Sequence, residues 1–361
     1  MTLSTNLRVA LWMIVWLVMI DMGVNLAFRP KTNARQATGL QRYFEYGRSV
    51  EGKLKIAVFG TPGDAPILSA GWIDDKTLRD VPTAIPLGSD ISITVYGQSF
   101  AFNASREAAR MDGRIALRAI GGPGAPPNHS YAAYKADTPN RKSDVVVFGI
   151  LSSAVPLMGS MSGLVWLFEN PAPFTFPRYR LSGDQLREEL PTILSEAAFR
   201  DAFSRRSPEW QQFKAQLRNS DRGYDRFIFE DTIADNSSAV RLMRRGWVAH
   251  SQAYEHGVYS PAAGFNSDSD DIRVLKAMLV DMARQSQARK EHLIVLLIQA
   301  RGQGAQLNAV LADTLNQSGI DYISTHTLFS SNDPANFVTD GHYTDSANHL
   351  LAEALLNKVR R

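Results

Sequence analysis

The chain has 361 residues, of which 44% are hydrophobic and 21% are charged, a balance typical of globular rather than disordered proteins. Its net charge of +3 comes from 39 basic and 36 acidic residues without a basic stripe, so the composition does not predict nucleic-acid binding. Cysteine is absent, which excludes disulfides, a thiol nucleophile and cysteine-ligated metal sites. The seven histidines show no metal-ligand spacing.

The first predicted element is an apolar helix near the N-terminus. Its core is the twelve-residue run Val9–Ile20, and it extends to Phe28 if three polar or small residues are tolerated. About twenty such residues can span a bilayer, and no small-residue cleavage site follows the run. We therefore predict an uncleaved signal anchor at residues 1–28, with a cleaved signal peptide and a buried helix of the soluble domain as alternatives.

The anchor predicts a single-pass protein of the inner membrane whose folded domain lies in the periplasm or outside the cell. The basic residues that follow the apolar run outnumber those that precede it, which is the reverse of the positive-inside pattern. The flanking charges therefore do not determine which end of the anchor faces the cytoplasm.

A polar, basic linker is predicted at residues 29–52, followed by a folded domain at residues 53–361. Apolar and β-branched stretches predict strands at 54–60, 90–100, 114–122, 143–151, 292–300 and 319–324. Helical patterns lie at 103–113, 268–290, 303–318 and from Asp345 onward. Strands that alternate with helices are typical of a parallel sheet covered on both faces. The predicted fold is an α/β three-layer sandwich with a central, mostly parallel sheet.

The alternation is interrupted between about residues 159 and 266. This segment starts with an aromatic and proline-rich stretch and continues with helical patterns at about 182–220 and 236–257. We interpret it as an insertion that covers the crevice at the edge of the sheet.

Candidate catalytic residues follow from where the predicted strands end, because ligands of open α/β sheets bind beyond the carboxyl ends of the strands. Ser99 follows a strand in "VYGQSFAFN", where Gly97 permits a tight turn. It is either a nucleophile or only the cap of the next helix. Asp340 and His342 precede the last helix, where His342 could act as the base and Asp340 could orient it. The alternative is that Asp340 only forms a turn beside an exposed histidine.

The serine in its Gly-x-Ser turn, the turn "AIGGPGAPP" and the closing "DGHYTDSANHLLAEAL" together resemble the SGNH/GDSL hydrolase superfamily over roughly residues 90–360. The resemblance implies an SGNH hydrolase-like sandwich in which Ser99 is the nucleophile and also an oxyanion donor. It further implies that Gly122 is the second oxyanion donor and that Asp340 and His342 complete the triad.

Two positions depart from the superfamily pattern. An asparagine usually follows the strand that matches "SDVVVFGILSS", whereas this chain has Ser152 and Ser153, so that Ser153, a backbone amide or Asn128 would take its place. The spacing of two between Asp340 and His342, rather than three, is similar to the D-x-H motif of the alginate O-acetyltransferase branch. Flanking segments also resemble membrane-anchored SGNH proteins associated with exopolysaccharide biosynthesis.

These resemblances imply a serine-dependent acyl-ester hydrolase or O-acetyltransferase that acts on a cell-envelope or secreted polysaccharide, with exopolysaccharide synthesis machinery as a partner. They imply no cofactor, no metal and no nucleic acid. Trp166, Phe168 and Tyr179 either offer flat faces to sugar rings or only pack the insertion onto the sheet. A catalytically degenerate polysaccharide-binding or assembly protein, and a lipase or thioesterase of the same fold, are the alternative functions.

Overall fold

The computed structural model describes the chain in six stretches: residues 5–28, 38–59, 69–81, 88–139, 141–251 and 257–360. The chain forms two compact units. The N-terminal unit comprises residues 1–68, 164–171 and 224–254. The sheet unit comprises residues 69–163, 172–223 and 255–361. The predicted insertion is therefore divided between the two units.

Helices make up most of the regular structure. The α-helices are α1 (Thr5–Ala27), α2 (Gly39–Glu45), α3 (Val50–Phe59), α4 (Asp75–Asp80), α5 (Ser99–Met111), α6 (Pro127–Asp137), α7 (Glu196–Arg205), α8 (Pro208–Ser220), α9 (Arg226–Phe229), α10 (Ser238–Ser251), α11 (Asp270–Arg289), α12 (Gln306–Gln317) and α13 (Asp345–Val359). The strands are β1 (Ile91–Gly97), β2 (Ile115–Gly121), β3 (Val145–Leu151), β4 (Arg178–Ser182), β5 (Gln185–Glu189), β6 (Tyr259–Ser260), β7 (Gly264–Phe265), β8 (His292–Ile298) and β9 (Asp321–Ser324). Short 3₁₀ helices lie at Ser152–Gly159, Ile233–Asn236, Thr325–Thr327 and Pro334–Asn336.

The sheet unit is built on a five-stranded parallel sheet in the order β2-β1-β3-β8-β9. The chain runs from β1 outward to β2 and then returns past β1 to β3, so the direction of winding reverses between β1 and β3. In doubly wound sheets such a reversal opens a crevice at the carboxyl ends of the two strands. The predicted α/β fold with a central parallel sheet is confirmed.

Helices cover both faces of this sheet. Successive residues of a strand point to opposite faces, and β3 shows it clearly: Val146 and Phe148 pack under α6, α11 and α12, whereas Val145 and Val147 pack under α5 and α13. All seven residues of β3 are buried, as expected for a central strand with a helix layer on each side. Each of the two hydrophobic clusters packs one helix layer onto one face of the sheet, so the sheet and the two helix layers form the three layers of the sandwich.

The first predicted strand, at residues 54–60, is wrong. Residues up to Phe59 belong to the helix α3, which starts at Val50. The Ser49 hydroxyl accepts a hydrogen bond from the Gly52 backbone N–H at 3.0 Å and thereby caps the first turn. Val50 and Leu54, four residues apart, are both fully buried. The cap and this spacing override the strand preference of the β-branched residues that follow.

The segment with a predicted helical pattern at about 182–220 begins instead as a hairpin. Strands β4 and β5 pair antiparallel through the two-residue loop Gly183–Asp184, where Gly183 has φ +60°. A Gly-Asp pair between two short strands is a recognised hairpin signal. Helix α7 begins only after Ser195, whose hydroxyl caps it, and α8 follows. Of the helix predicted at about 236–257, residues 238–251 form α10, while residues 252–256 lie outside the described residues.

In the N-terminal unit, the last turns of α1 contact α10 through Asp21. Among the described residues, α1 is the helix that is long and apolar enough to cross a membrane, and none of its residues is buried. Its length and composition fit a single-pass anchor as well as a signal sequence. The Asp21 carboxylate accepts hydrogen bonds from the Ser238 hydroxyl at 2.5 Å and from the Ala239 N–H at 2.9 Å. Asp21 therefore caps the N-terminus of α10.

Candidate active site

Ser99 lies where β1 passes into α5, at the edge of the sheet where the crevice is expected. Gln98 occupies the cap position, and Ser99 is the first residue of the helix. A Cβ atom on Gly97 would lie 3.1 Å from the Ala101 Cβ atom, so the close approach of α5 to the strand favours glycine there. The free N–H groups and the positive end of the helix dipole lie beside the Ser99 hydroxyl.

Asp340 and His342 lie in the loop that leads into α13. The Val338 N–H donates to the His342 carbonyl oxygen at 2.8 Å, and Gly341 turns the chain with φ +88°. One carboxylate oxygen of Asp340 accepts from the His342 backbone N–H at 3.1 Å and from its ring Nδ1 at 3.0 Å. These two hydrogen bonds, the backbone one first, lower the pKa of the Asp340 carboxyl.

The structure brings the three side chains into one hydrogen-bonded chain. The Ser99 hydroxyl oxygen lies 2.6 Å from His342 Nε2, on the opposite side of the ring from Asp340. When Nδ1 carries the proton that is donated to Asp340, Nε2 is left to accept the proton of the Ser99 hydroxyl. A serine, a histidine and a carboxylate in this order have the geometry that activates a hydroxyl as a nucleophile.

Two aromatic residues hold the His342 ring in place. Phe100, next to Ser99 on α5, stacks on the ring with a centroid distance of 4.8 Å. Tyr343 packs against Phe100 and donates from its hydroxyl to the Gln299 carbonyl oxygen at 2.6 Å, which ties the loop to the carboxyl end of β8. Burial raises the pKa of Tyr343. Phe100 is not among the site residues predicted from the sequence, although an aromatic residue directly after a candidate nucleophile is visible there.

The residues predicted to complete an oxyanion hole have different surroundings. Gly122 follows β2 directly and packs closely, since a Cβ atom there would lie 3.0 Å from the Gly71 Cα atom and 3.2 Å from the Phe174 ring. Ser153 is exposed in the 3₁₀ helix after β3. Its neighbour Ser152 is buried and accepts a hydrogen bond from the Ala300 N–H at 2.8 Å.

Asn128 does not fit the role of oxyanion donor. It is fully buried at the start of α6, and its amide nitrogen donates to the carbonyl oxygens of Ser160 and Pro177, each at 3.1 Å. An amide nitrogen has two hydrogens, and both are used by these carbonyls. Asn128 therefore fixes the start of the insertion to α6.

Gln98, directly before Ser99, is a further polar residue of the site that is not among those predicted from the sequence. Its side chain is only 1% exposed, and neither its amide nitrogen nor its amide oxygen has a hydrogen-bond partner among the described residues. The amide oxygen points towards β3, 3.4 Å from where a Cβ atom of Gly149 would lie. Buried polar groups usually have partners, so Gln98 is an exception directly beside Ser99.

The three aromatic residues predicted to bind sugar rings do not form one platform. Tyr179 is 4% exposed, packs edge-on against Tyr131 and donates from its hydroxyl to Glu188 at 2.6 Å, so it has no free face. Phe168 is also buried, and the Lys53 amine lies over its ring. Trp166 and Phe168 belong to the N-terminal unit and line a cavity there of about 380 Å³. The prediction is wrong for Tyr179, because its ring is part of the core.

No metal site emerges from the described part of the chain, which contains no group of three or more His, Asp or Glu side chains able to hold an ion.

Comparison with known proteins gives matches only among solved structures. No family model and no curated protein matches the sequence. One similar structure is a provisionally assigned acylhydrolase from Bacteroides fragilis NCTC 9343, at 11% identity and a TM-score of 0.39 over 80% of this chain and 99% of that chain. Another is LAE5, an alpha/beta hydrolase enzyme from the metagenome of Lake Arreo, Spain, at 10% identity and a TM-score of 0.34 over 77% of this chain and 98% of that chain.

Proposed function

We propose that this protein is a serine-dependent acyl-ester hydrolase or acyltransferase in which Ser99 is the nucleophile, His342 the general base and Asp340 the residue that orients His342. The observation that carries the proposal is the hydrogen-bonded chain from Asp340 through His342 to Ser99. Its position at the carboxyl end of β1, where winding reverses, is the usual place for a ligand site in this kind of sheet.

In the proposed reaction, the Ser99 oxygen attacks the carbonyl carbon of an acyl ester while His342 Nε2 takes the hydroxyl proton. The leaving alcohol then receives that proton from His342, and the acyl group stays on Ser99. Water or an acceptor hydroxyl releases the acyl group by the same steps in reverse. Backbone N–H groups at the start of α5 and at Gly122 stabilise the negative oxygen of the intermediate.

The substrate that we propose is an acetylated polysaccharide of the cell envelope or one that is secreted. The support is the resemblance of the Gly-x-Ser turn and the D-x-H motif to SGNH hydrolases and to the alginate O-acetyltransferase branch. The candidate triad is also open to large molecules, since about a third of the His342 side chain and 69% of the Asp340 side chain are exposed. An anchored chain would present this site to polymers outside the inner membrane.

The first experiment is to replace Ser99 by alanine in the full chain. We expect Ser99→Ala to abolish hydrolysis of a small acetyl ester and labelling by a fluorophosphonate, with an unchanged melting temperature because the side chain is half-buried and at a helix end. The matched control is Ser267→Ala, an exposed serine of the sheet unit, which should keep full activity.

Each outcome of this experiment distinguishes the candidate functions. Undiminished hydrolysis by Ser99→Ala would mean that the reaction does not use this serine. A folded wild-type protein that neither hydrolyses esters nor reacts with fluorophosphonate, yet binds polysaccharide, would support the degenerate binding protein. A preference for long acyl chains or thioesters would indicate the lipase or thioesterase, and acetyl transfer to a polysaccharide in excess of hydrolysis would indicate the transferase.

A further inference from the structure

In helix α10 of the N-terminal unit, charged residues are buried and apolar residues are exposed. This is the reverse of the pattern in a surface helix of a soluble protein. Its buried residues are Ser238, Arg241, Arg244 and Val248. Its exposed side, by contrast, carries no Asp, Glu, Lys or Arg and consists of Ala239, Leu242, Met243, Gly246, Trp247, Ala249 and His250. Most of these exposed residues recur at intervals of three and four, which places them on one helix face.

Two of the three arginines of α10, Arg241 and Arg244, are held on the inner side by specific partners, and Arg245 pairs with Glu169. Arg241 donates to the Asp235 carbonyl oxygen at 2.7 Å and to Glu45 at 2.8 Å. Arg244 pairs with the Asp235 carboxylate at 2.7 Å and donates to the Gly47 carbonyl oxygen at 2.9 Å. Turning the helix over would break the ion pairs with Asp235 and Glu45 and the hydrogen bonds to the carbonyl oxygens of Asp235 and Gly47. The outward position of the apolar side is therefore fixed by the fold of the unit.

The apolar side is large and well exposed. Leu242, Met243 and Trp247 are 39%, 60% and 47% exposed. The Trp247 indole N–H donates to the Asp225 carboxylate at 2.8 Å, which holds the ring with much of its surface outward. A tryptophan that hydrogen-bonds through its N–H and exposes the apolar part of its ring is typical of the interface between membrane and water. Ile233, in the 3₁₀ helix that leads into α10, is 90% exposed.

The point at which α10 contacts α1 indicates what covers the apolar side of α10. All residues of α1 from Thr5 to Ile20 are exposed, and the twelve apolar residues Val9–Ile20, which rise 1.5 Å each, span about 18 Å of a hydrocarbon core of about 30 Å. The next residue, Asp21, binds the N-terminus of α10 through Ser238 and Ala239. An α1 that crosses a bilayer therefore brings α10 to the level at which the chain leaves the hydrocarbon.

We propose that the side of α10 formed by Leu242, Met243 and Trp247 inserts into the surface of the same phospholipid bilayer that α1 spans. The N-terminal unit is then attached to the membrane at two places, by a spanning helix and by an interfacial one. Because Arg241 and Arg244 are paired inside the unit and Arg245 pairs with Glu169, the insertion is driven by apolar burial and does not require anionic lipid.

The test uses the full chain in vesicles of phosphatidylcholine alone. The sequence has no cysteine, so Met243→Cys gives a single attachment point for a nitroxide label, and Leu242→Cys gives a second reporter on the same side. Collision of the label with oxygen, which concentrates in lipid, is compared with collision with a water-soluble nickel chelate. Leu17→Cys on α1 is the lipid reference, and Ser267→Cys, exposed in the sheet unit, is the water reference.

We expect the ratio of oxygen to nickel collisions at Met243→Cys and Leu242→Cys to exceed that at Ser267→Cys several-fold and to lie below that at Leu17→Cys. A ratio equal to that of Ser267→Cys would overturn the proposal, because the side would then face water. A label shielded from both reagents would also overturn it, because a protein surface, such as a second copy of this chain, would then cover α10.

Discussion

Asp340 binds His342 twice, through the backbone N–H and through the ring N–H of the same residue. An asparagine would keep the turn, but its amide group can donate to Nδ1 and so favour the tautomer in which Nε2 no longer accepts a proton. We expect Asp340→Asn to lower kcat for an acetyl ester by up to about four orders of magnitude, the loss known for this change in a serine protease triad. The melting temperature should hardly change, because the side chain is 69% exposed.

Kinetics and thermal unfolding of the same preparation check this prediction. If Asp340→Asn retained the wild-type kcat, Asp340 would be only a turn former, and the candidate site would consist of Ser99 and His342.

A second residue-level prediction concerns His129 on α6. The ring is fully buried between Phe174 and Phe176, and Nε2 donates to the Gly71 carbonyl oxygen at 2.7 Å. Burial lowers the pKa of His129 from 6.5 to about 4. Between these values the unfolded chain binds a proton that the folded chain does not. The free energy of unfolding should therefore decrease as the pH falls from about 6.5 to about 4, by up to about 1.4 kcal/mol per pH unit.

Replacing the residue isolates this effect. His129→Gln cannot titrate, so its free energy of unfolding should depend less steeply on pH in that window. Asp221 acts in the opposite direction, because burial raises its pKa to about 6 and its protonated form stabilises the folded state as the pH falls. This contribution is common to both proteins and cancels in the comparison. Denaturant unfolding at several pH values gives the two slopes, and equal slopes would contradict the assignment to His129.

Residues of the candidate site differ in how far the sequence could identify them. Ser99, Asp340 and His342 could be named because each stands at the end of a strongly patterned strand or at the start of a patterned helix. The surroundings of Asn128 could not be predicted, because its amide meets carbonyl groups 32 and 49 residues away along the chain. The burial of Tyr179 depends likewise on its packing against α6.

At the level of elements, the turn between Asp340 and His342 depends on one glycine. Gly341 has φ +88°, and nothing lies within 4 Å of where its Cβ atom would be, so a side chain there causes backbone strain without a clash. We expect Gly341→Ala to lower the free energy of unfolding by about 1–2 kcal/mol and also to lower kcat, because the same turn positions the His342 ring.

The hairpin β4-β5 provides the matched control. Gly183 also has a positive φ, +60°, and open space around it. Gly183→Ala should therefore cause a similar loss of stability without a loss of kcat. The comparison needs chemical denaturation and ester hydrolysis of both variants. Equal kcat values for the two variants would show that the 340–342 turn does not position the reactive ring.

The elements show why the sheet could be predicted and some helix ends could not. Strands β1, β3 and β8 are short apolar runs between turn residues, and burial on both faces gives them an unambiguous pattern. The edge strands β2 and β9 are only partly buried, and the turn residues around them help to identify them. The start of α3 was missed because a single hydroxyl, that of Ser49, decides it. At α13 the cap is Thr344, whose hydroxyl accepts from the Ala347 N–H, although Asp345 is an equally good cap by residue type.

For the whole molecule, the apolar helix predicts how the protein fractionates. We expect the full chain to remain with membranes after an alkaline carbonate wash, because α1 has the length and composition of a membrane span. A chain that begins at residue 38 should lose this tight attachment but stay folded. Beginning at Lys53 would remove Ser49, whose N–H and hydroxyl both bind the buried Asp235 carboxylate.

Immunoblots of washed membranes and soluble fractions provide the measurement. A soluble mature chain that lacks residues 1–28, identified by N-terminal sequencing, would show that the apolar helix is a cleaved signal peptide. The bilayer contact proposed for α10 would then be overturned as well, because it depends on an α1 that spans the same bilayer.

The contact between Ser99 and His342 joins residues that are 243 positions apart. At a synthesis rate of about 5–20 residues per second, roughly 12–50 s pass between the two residues leaving the catalytic centre of the ribosome. The apolar helix α1 is finished well before either of them. Throughout this interval the serine hydroxyl has no base beside it, and even the supporting strands β8 and β9 are missing for most of the time. The proposed acyl chemistry therefore cannot take place during synthesis. It starts only when β9 and α13 have packed onto the rest of the sheet unit.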